Sequence, residues 1–188
     1  CYSDAEEAFL KALEVDPTLH RAWHYLGRTA HHAGEKQKEI DYFKRATELD
    51  EDDWESPILV LAPMRQQSEP DEERQMARLA VARVKRHLED YPDNQRAYYL
   101  GIGALIVLEE TDLAMDWAER ALKLAPDDPP TRYNLACFYA QLGNVDKALD
   151  LVENSVTSRS WIENDHDFDN IREHPRFQRF LASLPEGS

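Results

Sequence analysis

The sequence predicts an all-α fold, a solenoid of antiparallel helix pairs closed by a C-terminal capping segment. Three observations carry that expectation. Small and aromatic residues recur 34 positions apart, Phe9 with Phe43, Ala12 with Ala46, Tyr99 with Tyr133 and Ala114 with Ala148, and a fixed period of this length marks stacked two-helix units. Within a period the apolar residues fall at helical spacing, Trp23, Leu26 and Ala30 on one helix and Ile40, Phe43 and Ala46 on the next. A composition of 42% hydrophobic and 31% charged residues over 188 positions belongs to a chain with a core, not to a disordered one.

Residues 1–19 match only the second helix of a unit, with Ala5, Phe9, Ala12 and Pro17 at the expected spacing. The apolar face of that helix calls for cover from outside it. Residues 20–53 form a complete unit whose two helices meet at Gly34. Residues 54–94 form an elongated one: from Ala46 to His87 is 41 residues, a period plus seven. The surplus is best placed in a helix from about Pro70 to Tyr91, because seven residues are close to two turns and keep the buried face in the same direction. Ser68 and Pro70 mark its start, Tyr91-Pro92-Asp93 its end. In the helix before it, Pro57 suits a first turn, but Pro63 falls inside and predicts a kink or break near it. Residues 95–128 and 129–160 return to the regular period, with Gly143-Asn144 as a turn. Residues 161–188 form the cap. There Trp161 and Ile162 are expected to pack back, Asp169 to cap a short turn through His174, and Pro175 to open a helix striped by Phe177, Phe180, Leu181 and Leu184.

The order Trp23, Leu26, Gly27, then Gly34, Phe43 and Ala46, resembles the tetratricopeptide repeat (TPR). The resemblance implies a right-handed TPR-type α-solenoid, and for function a scaffold that binds other proteins. The run Tyr98 to Leu105 (YYLGIGAL), then Tyr133 to Gly143 (YNLACFYAQLG) and Trp161 to Phe177 (WIENDHDFDNIREHPRF), resembles a recurrent TPR region of bacterial signalling and regulatory proteins. There it lies C-terminal to a cyclase, kinase or winged-helix domain. The sequence departs from the repeat pattern at Glu109, where a turn glycine is usual, at Glu39, which replaces a small alanine, and at Pro63.

Thirty-seven acidic residues against 22 Lys and Arg give a net charge of -15. Such a field repels phosphate backbones and anionic lipid, which argues against nucleic acid and membrane surfaces as partners. Two cysteines make no disulfide framework and point to a reducing, cytoplasmic setting. Cys1 leaves one alternative open, a lipoprotein acylated at its first residue.

His20, His24, His31 and His32 crowd one helix, and His residues four apart can share a metal. No further ligand completes a set, so a metal-binding enzyme built on this cluster is the weakest reading. Asp165, Asp167 and Asp169 alternate like the start of a calcium loop, but Asn170 stands where the glycine belongs and Arg176 where the bidentate Glu belongs. Those acids read instead as caps. Cys137 has no neighbouring histidine to activate it and reads as a packing residue. No catalytic set and no cofactor motif emerges, so the chain reads as non-enzymatic.

In TPR proteins the first helix of each pair lines a concave groove. The residues placed there by register are His24, Arg28 and His31, then Arg65, Tyr99, Tyr133 and Asn134, beside Cys137. Arg28 and Arg65 offer forked donors for an acidic side chain or a C-terminal carboxylate, the tyrosines offer flat area with a polar tip, and Asn134 can pair with peptide backbone. The set partly resembles the carboxylate clamp of chaperone-binding TPRs. The expected function is therefore a scaffold binding a peptide or protein in that groove. The alternative is a regulatory or self-associating arm, including a homodimer, of a larger signalling enzyme or transcription regulator.

Overall fold

The structure is a computed structural model that describes residues 2–153, 155 and 159–184, so that Cys1 and the Trp161 side chain lie outside it. Among the described residues there is no strand. Helices α1 (Tyr2–Val15), α2 (His20–Ala33), α3 (Lys36–Leu49), α4 (Ser56–Leu59), α5 (Leu61–Gln67) and α6 (Pro70–Asp90) are followed by α7 (Gln95–Val107), α8 (Thr111–Leu124), α9 (Pro129–Gln141) and α10 (Val145–Val152). The tail adds α11 (Arg159–Asn164), a 3-10 turn (His166–Ile171) and α12 (Pro175–Ser183). The chain separates into two compact units, Cys1–Asp93 with Gly103–Ala114, and Asn94–Ile102 with Met115–Ser188.

In the first unit α2 and α3 approach closely because Gly27 has no side chain. A Cβ there would lie 2.7 Å from the Phe43 ring, inside its van der Waals surface. Phe43 and Ile40 continue into Val60 and Met64 of the next pair, and Leu13, Ala22 and Leu26 form a second cluster flanked by Phe9, Trp23 and Tyr42. The expected interruption around Pro63 is present but sits at Val60, between α4 and α5. The reason is the missing N–H: Pro63 cannot donate to the Leu59 carbonyl four residues back, so the ladder fails upstream of the proline. α6 is unbroken over 21 residues, against 14 in α3. Its Arg83 donates to the carbonyls of Thr47, Asp50 and Asp53 at 2.9 Å each, supplying the oxygens at the end of α3 with the donors that helix termini lack. Arg86 adds the Glu51 carbonyl and the Asp52 carboxylate.

Helix ends close alike at three places. Gly34 (φ 72°), Glu109 (φ 61°) and Gly143 (φ 71°) are left-handed, and the residue after each donates back to a carbonyl five before it: Glu35 to Ala30, Glu110 to Leu105, Asn144 to Tyr139, at 2.8–2.9 Å. Glu109 is the one non-glycine with positive φ among the described residues, and it also accepts from Arg74 at 2.7 Å.

In the second unit Tyr98 meets Trp117 edge to face. α9 starts on Asp128, whose carboxylate accepts from the Thr131 N–H and hydroxyl, with Pro129 in its first turn. Arg132 grips the carbonyls of Pro126, Asp150 and Leu151 as Arg83 grips those of its own unit. In the tail, Ile162, Phe168, Ile171 and Phe177 are buried, with Phe168 stacked on Phe177 at 5.6 Å, and Phe180 and Leu181 buried beside them. Arg176 ties α12 to Asp146, Asp150 and Glu153. Asp169 does not cap the turn as expected. Asp165 does, accepting from the Asp167 N–H at 2.9 Å, and Asp169 pairs with Arg172 and His166, because the acid one residue before the turn is the one that can reach its free N–H groups.

Candidate functional site

The helical period places His24, Arg28 and His31 on one face of α2. His24 is half-buried, its Nδ1 2.9 Å from the hydroxyl of fully buried Ser56, its ring edge-on to Phe43 and Tyr25. Burial pushes its pKa below the usual histidine value; Arg28 and Arg21 act in the same direction, Asp53 and Glu55 against it. His31 is the reverse case. Its Nδ1 lies 2.9 Å from Oε1 of Glu39, which is 4% exposed, and that hydrogen bond raises the His31 pKa over the opposing effects of burial and Arg28. Arg28 between them is exposed and makes no hydrogen bond or ion pair among the described residues. Arg65 is engaged elsewhere in the same unit, 3.4 Å from Glu73, where both line a shallow pocket of about 320 Å³ with Pro70, Arg74, Ile106 and Val107.

In the second unit Tyr99 is 7% exposed, and its hydroxyl accepts from Arg96 at 3.3 Å. Asn134 donates to the Pro130 carbonyl one turn back. Tyr133, Cys137 and Gln141, four residues apart along α9, all point their donors at the tail. The Tyr133 hydroxyl and the Cys137 thiol (3.8 Å) donate to Asp165, and the Gln141 amide to Asp167 at 2.9 Å, while Asn170 returns a bond to the Gln141 carbonyl. Sulfur and carboxylate oxygens of Cys137, Asp165 and Asp167 come within 4.8 Å of one another. Burial, reinforced by both carboxylates, keeps the thiol protonated far above the ordinary range, so it serves as a donor.

The structure thus brings together the three α2 residues that the repeat register groups, and it engages Arg65, Tyr99, Tyr133 and Asn134 in contacts of their own units. The histidines do not converge as a ligand set: His20 faces Asp50 at 3.2 Å, His24 faces Ser56, and His31 faces Glu39. Glu39 and Ser56 shape these faces without having been singled out as site residues, and so do Asp165 and Asp167, which the sequence marks only as caps. Glu39 left one signal, a charge where the repeat favours a small residue. Asp53 belongs with them, since its Oδ1 caps α4 and its buried Oδ2 has no hydrogen-bond partner among the described residues.

Known proteins locate this architecture. The chain is similar in structure to TTC0263, a thermophilic TPR protein of Thermus thermophilus, with a TM-score of 0.62 and 19% identity over 97% of this chain and 89% of that one. It is also similar to YrrB, described as a TPR protein with an unusual peptide-binding site (TM-score 0.53, 18% identity, 94% and 97% coverage), and to MamA (0.51, 20%, 81% and 85%). No curated protein matches the sequence significantly. Likeness at this identity shows the fold alone, an all-α solenoid of helix pairs. Sequence profiles described as tetratricopeptide repeat match residues 2–53 and 73–129, and again 117–150. On that match, which spans more than half of its length, the chain belongs to the tetratricopeptide repeat family.

Proposed function

We propose that this protein is a non-enzymatic interaction scaffold that binds a peptide segment or protein on the inner faces of its first helices. In the first unit that face is the one of α2 carrying His24, Arg28 and His31, and its partner presents an acidic side chain or a C-terminal carboxylate there. Arg28 is the observation that carries the reading. A guanidinium held beside two imidazoles, exposed and with no carboxylate of its own among the described residues, is a forked donor awaiting an acceptor. In a chain of net charge -15 it selects a partner that is acidic at this contact and neutral or basic around it. The peptide-binding site attributed to YrrB lends the same fold a precedent for peptide recognition.

Partner capture with the full chain, followed by calorimetry on the partner isolated, tests this. Arg28→Ala is expected to weaken binding by about 1 to 3 kcal/mol, the range for a charged hydrogen bond partly removed from water. Lys123→Ala, on an exposed helix end, is expected to leave it unchanged. Equal affinity in both variants would move the partner off this face. Self-association is a second reading, favoured by Leu10, Val15, Leu19 and Tyr25, large apolar side chains left exposed within the first 25 residues. Sedimentation of wild type against Val15→Ser and Leu19→Ser variants reads it directly.

A further inference from the structure

The face of α2 carries more than a fixed charge. Its two histidines are pushed in opposite directions by their surroundings, and the side chain that each one faces belongs to another element. His24 sits against Ser56 of α4, with Asp53 and Glu55 before that helix and Arg21 and Arg28 on its own. His31 sits against Glu39 of α3, with Arg28 behind it and the His32 ring 5.7 Å away. α1, also packed on α2, commits its Glu6 to Lys38 at 3.5 Å. Glu39 is almost completely buried at a position where the repeat takes alanine, so its carboxylate depends on His31 for compensation.

We propose that the α2 face is a proton-linked carboxylate site, in which Arg28 supplies the constant charge and His24 and the His31–Glu39 pair set the charge around it according to pH. The inference rests on the reading of this face as the partner-binding surface. Formal charges give its direction. In mild acid, Arg28 and protonated His24 contribute two positive charges, while the His31–Glu39 pair cancels. Near neutrality His24 is neutral and Arg28 alone remains. Above its raised pKa His31 loses its proton, and Glu39 then offsets Arg28, leaving none. A ligand carboxylate therefore binds with uptake of protons and is released as pH rises.

A blocked tetraglutamate peptide, with tetralysine as control, is the probe. It is titrated into the full chain at constant physiological salt and followed through the Cε1–H resonances of His24 and His31 at mildly acid, neutral and mildly alkaline pH. Each step of one charge is expected to change the dissociation constant about tenfold, as a unit charge about 12 Å away does at an effective dielectric of about 20. His24→Asn is expected to flatten the acid limb. Glu39→Ala, which restores the small residue of the repeat, is expected to remove the alkaline limb, because no buried carboxylate is left to offset Arg28. Binding that varies with pH identically in both variants, or not at all in the wild type, overturns the proton linkage and leaves carboxylate recognition standing. Failure of tetraglutamate to bind at any pH, with the histidine resonances unmoved, overturns carboxylate recognition itself and the linkage with it.

Discussion

Glu109 does a glycine's work. It holds φ at 61°, where an L-residue meets its own carbonyl at a cost of about 1 to 2 kcal/mol. Its ion pair with Arg74 returns little of that, since the Glu109 side chain is 76% exposed and such pairs contribute about 0 to 1 kcal/mol. Glu109→Gly is therefore expected to stabilise the protein by about 0.5 kcal/mol, read as a raised denaturant midpoint at unchanged slope. A lowered midpoint would mean that the pair with Arg74 outweighs the strain. His31 makes a second residue-scale case. A histidine whose pKa is raised by folding contributes stability that is fully present below its unfolded pKa, about 6.5, and is lost as pH climbs through the folded value. Thermal midpoints of the wild type are expected to fall as pH rises above about 6.5 and through that folded value, and those of Glu39→Ala to lose that component. Parallel curves would show that the His31–Glu39 contact leaves stability untouched.

At the scale of elements, arginines hold two of the joints between helices. Arg83 places three hydrogen bonds on carbonyls at the end of α3 and in the turn after it, and Arg132 places two at the end of α10 and one on Pro126 before α9. Arg83→Ala strands those oxygens in a half-buried joint and is expected to cost about 2 to 3 kcal/mol, with Arg83→Lys recovering only part, since one ammonium cannot span the same fork. Hydrogen exchange at the amides of the last turn of α3 locates the effect. Unchanged exchange there alongside a lowered global stability would place the role of Arg83 in packing of its stem instead.

For the molecule as a whole, the helices were legible wherever one residue alone fixes a backbone: glycine at positions 34 and 143, proline at the first turns of α6 and α12. The helix break was legible near Pro63 and falls three residues upstream of it, because proline breaks the bond that reaches back, not the one at its own position. The grouping of His24, Arg28 and His31 was legible on α2, where one helix carries all three, whereas for Tyr133 on α9 the position was legible and its partner was not. Tyr133 meets Asp165 across 32 residues of sequence, and no local pattern announces which side chain will fill a given face. Arginines that bind carbonyls leave no trace either, since every residue has a carbonyl. That same indifference has a consequence for how this protein can change over generations. A grip that reads main-chain oxygen is blind to the letters of the loop it holds, so Glu51 can become lysine while Arg86 keeps its hold on the same carbonyl. The joints can stay fixed while the charge displayed above them is rewritten, one codon at a time, toward a different partner.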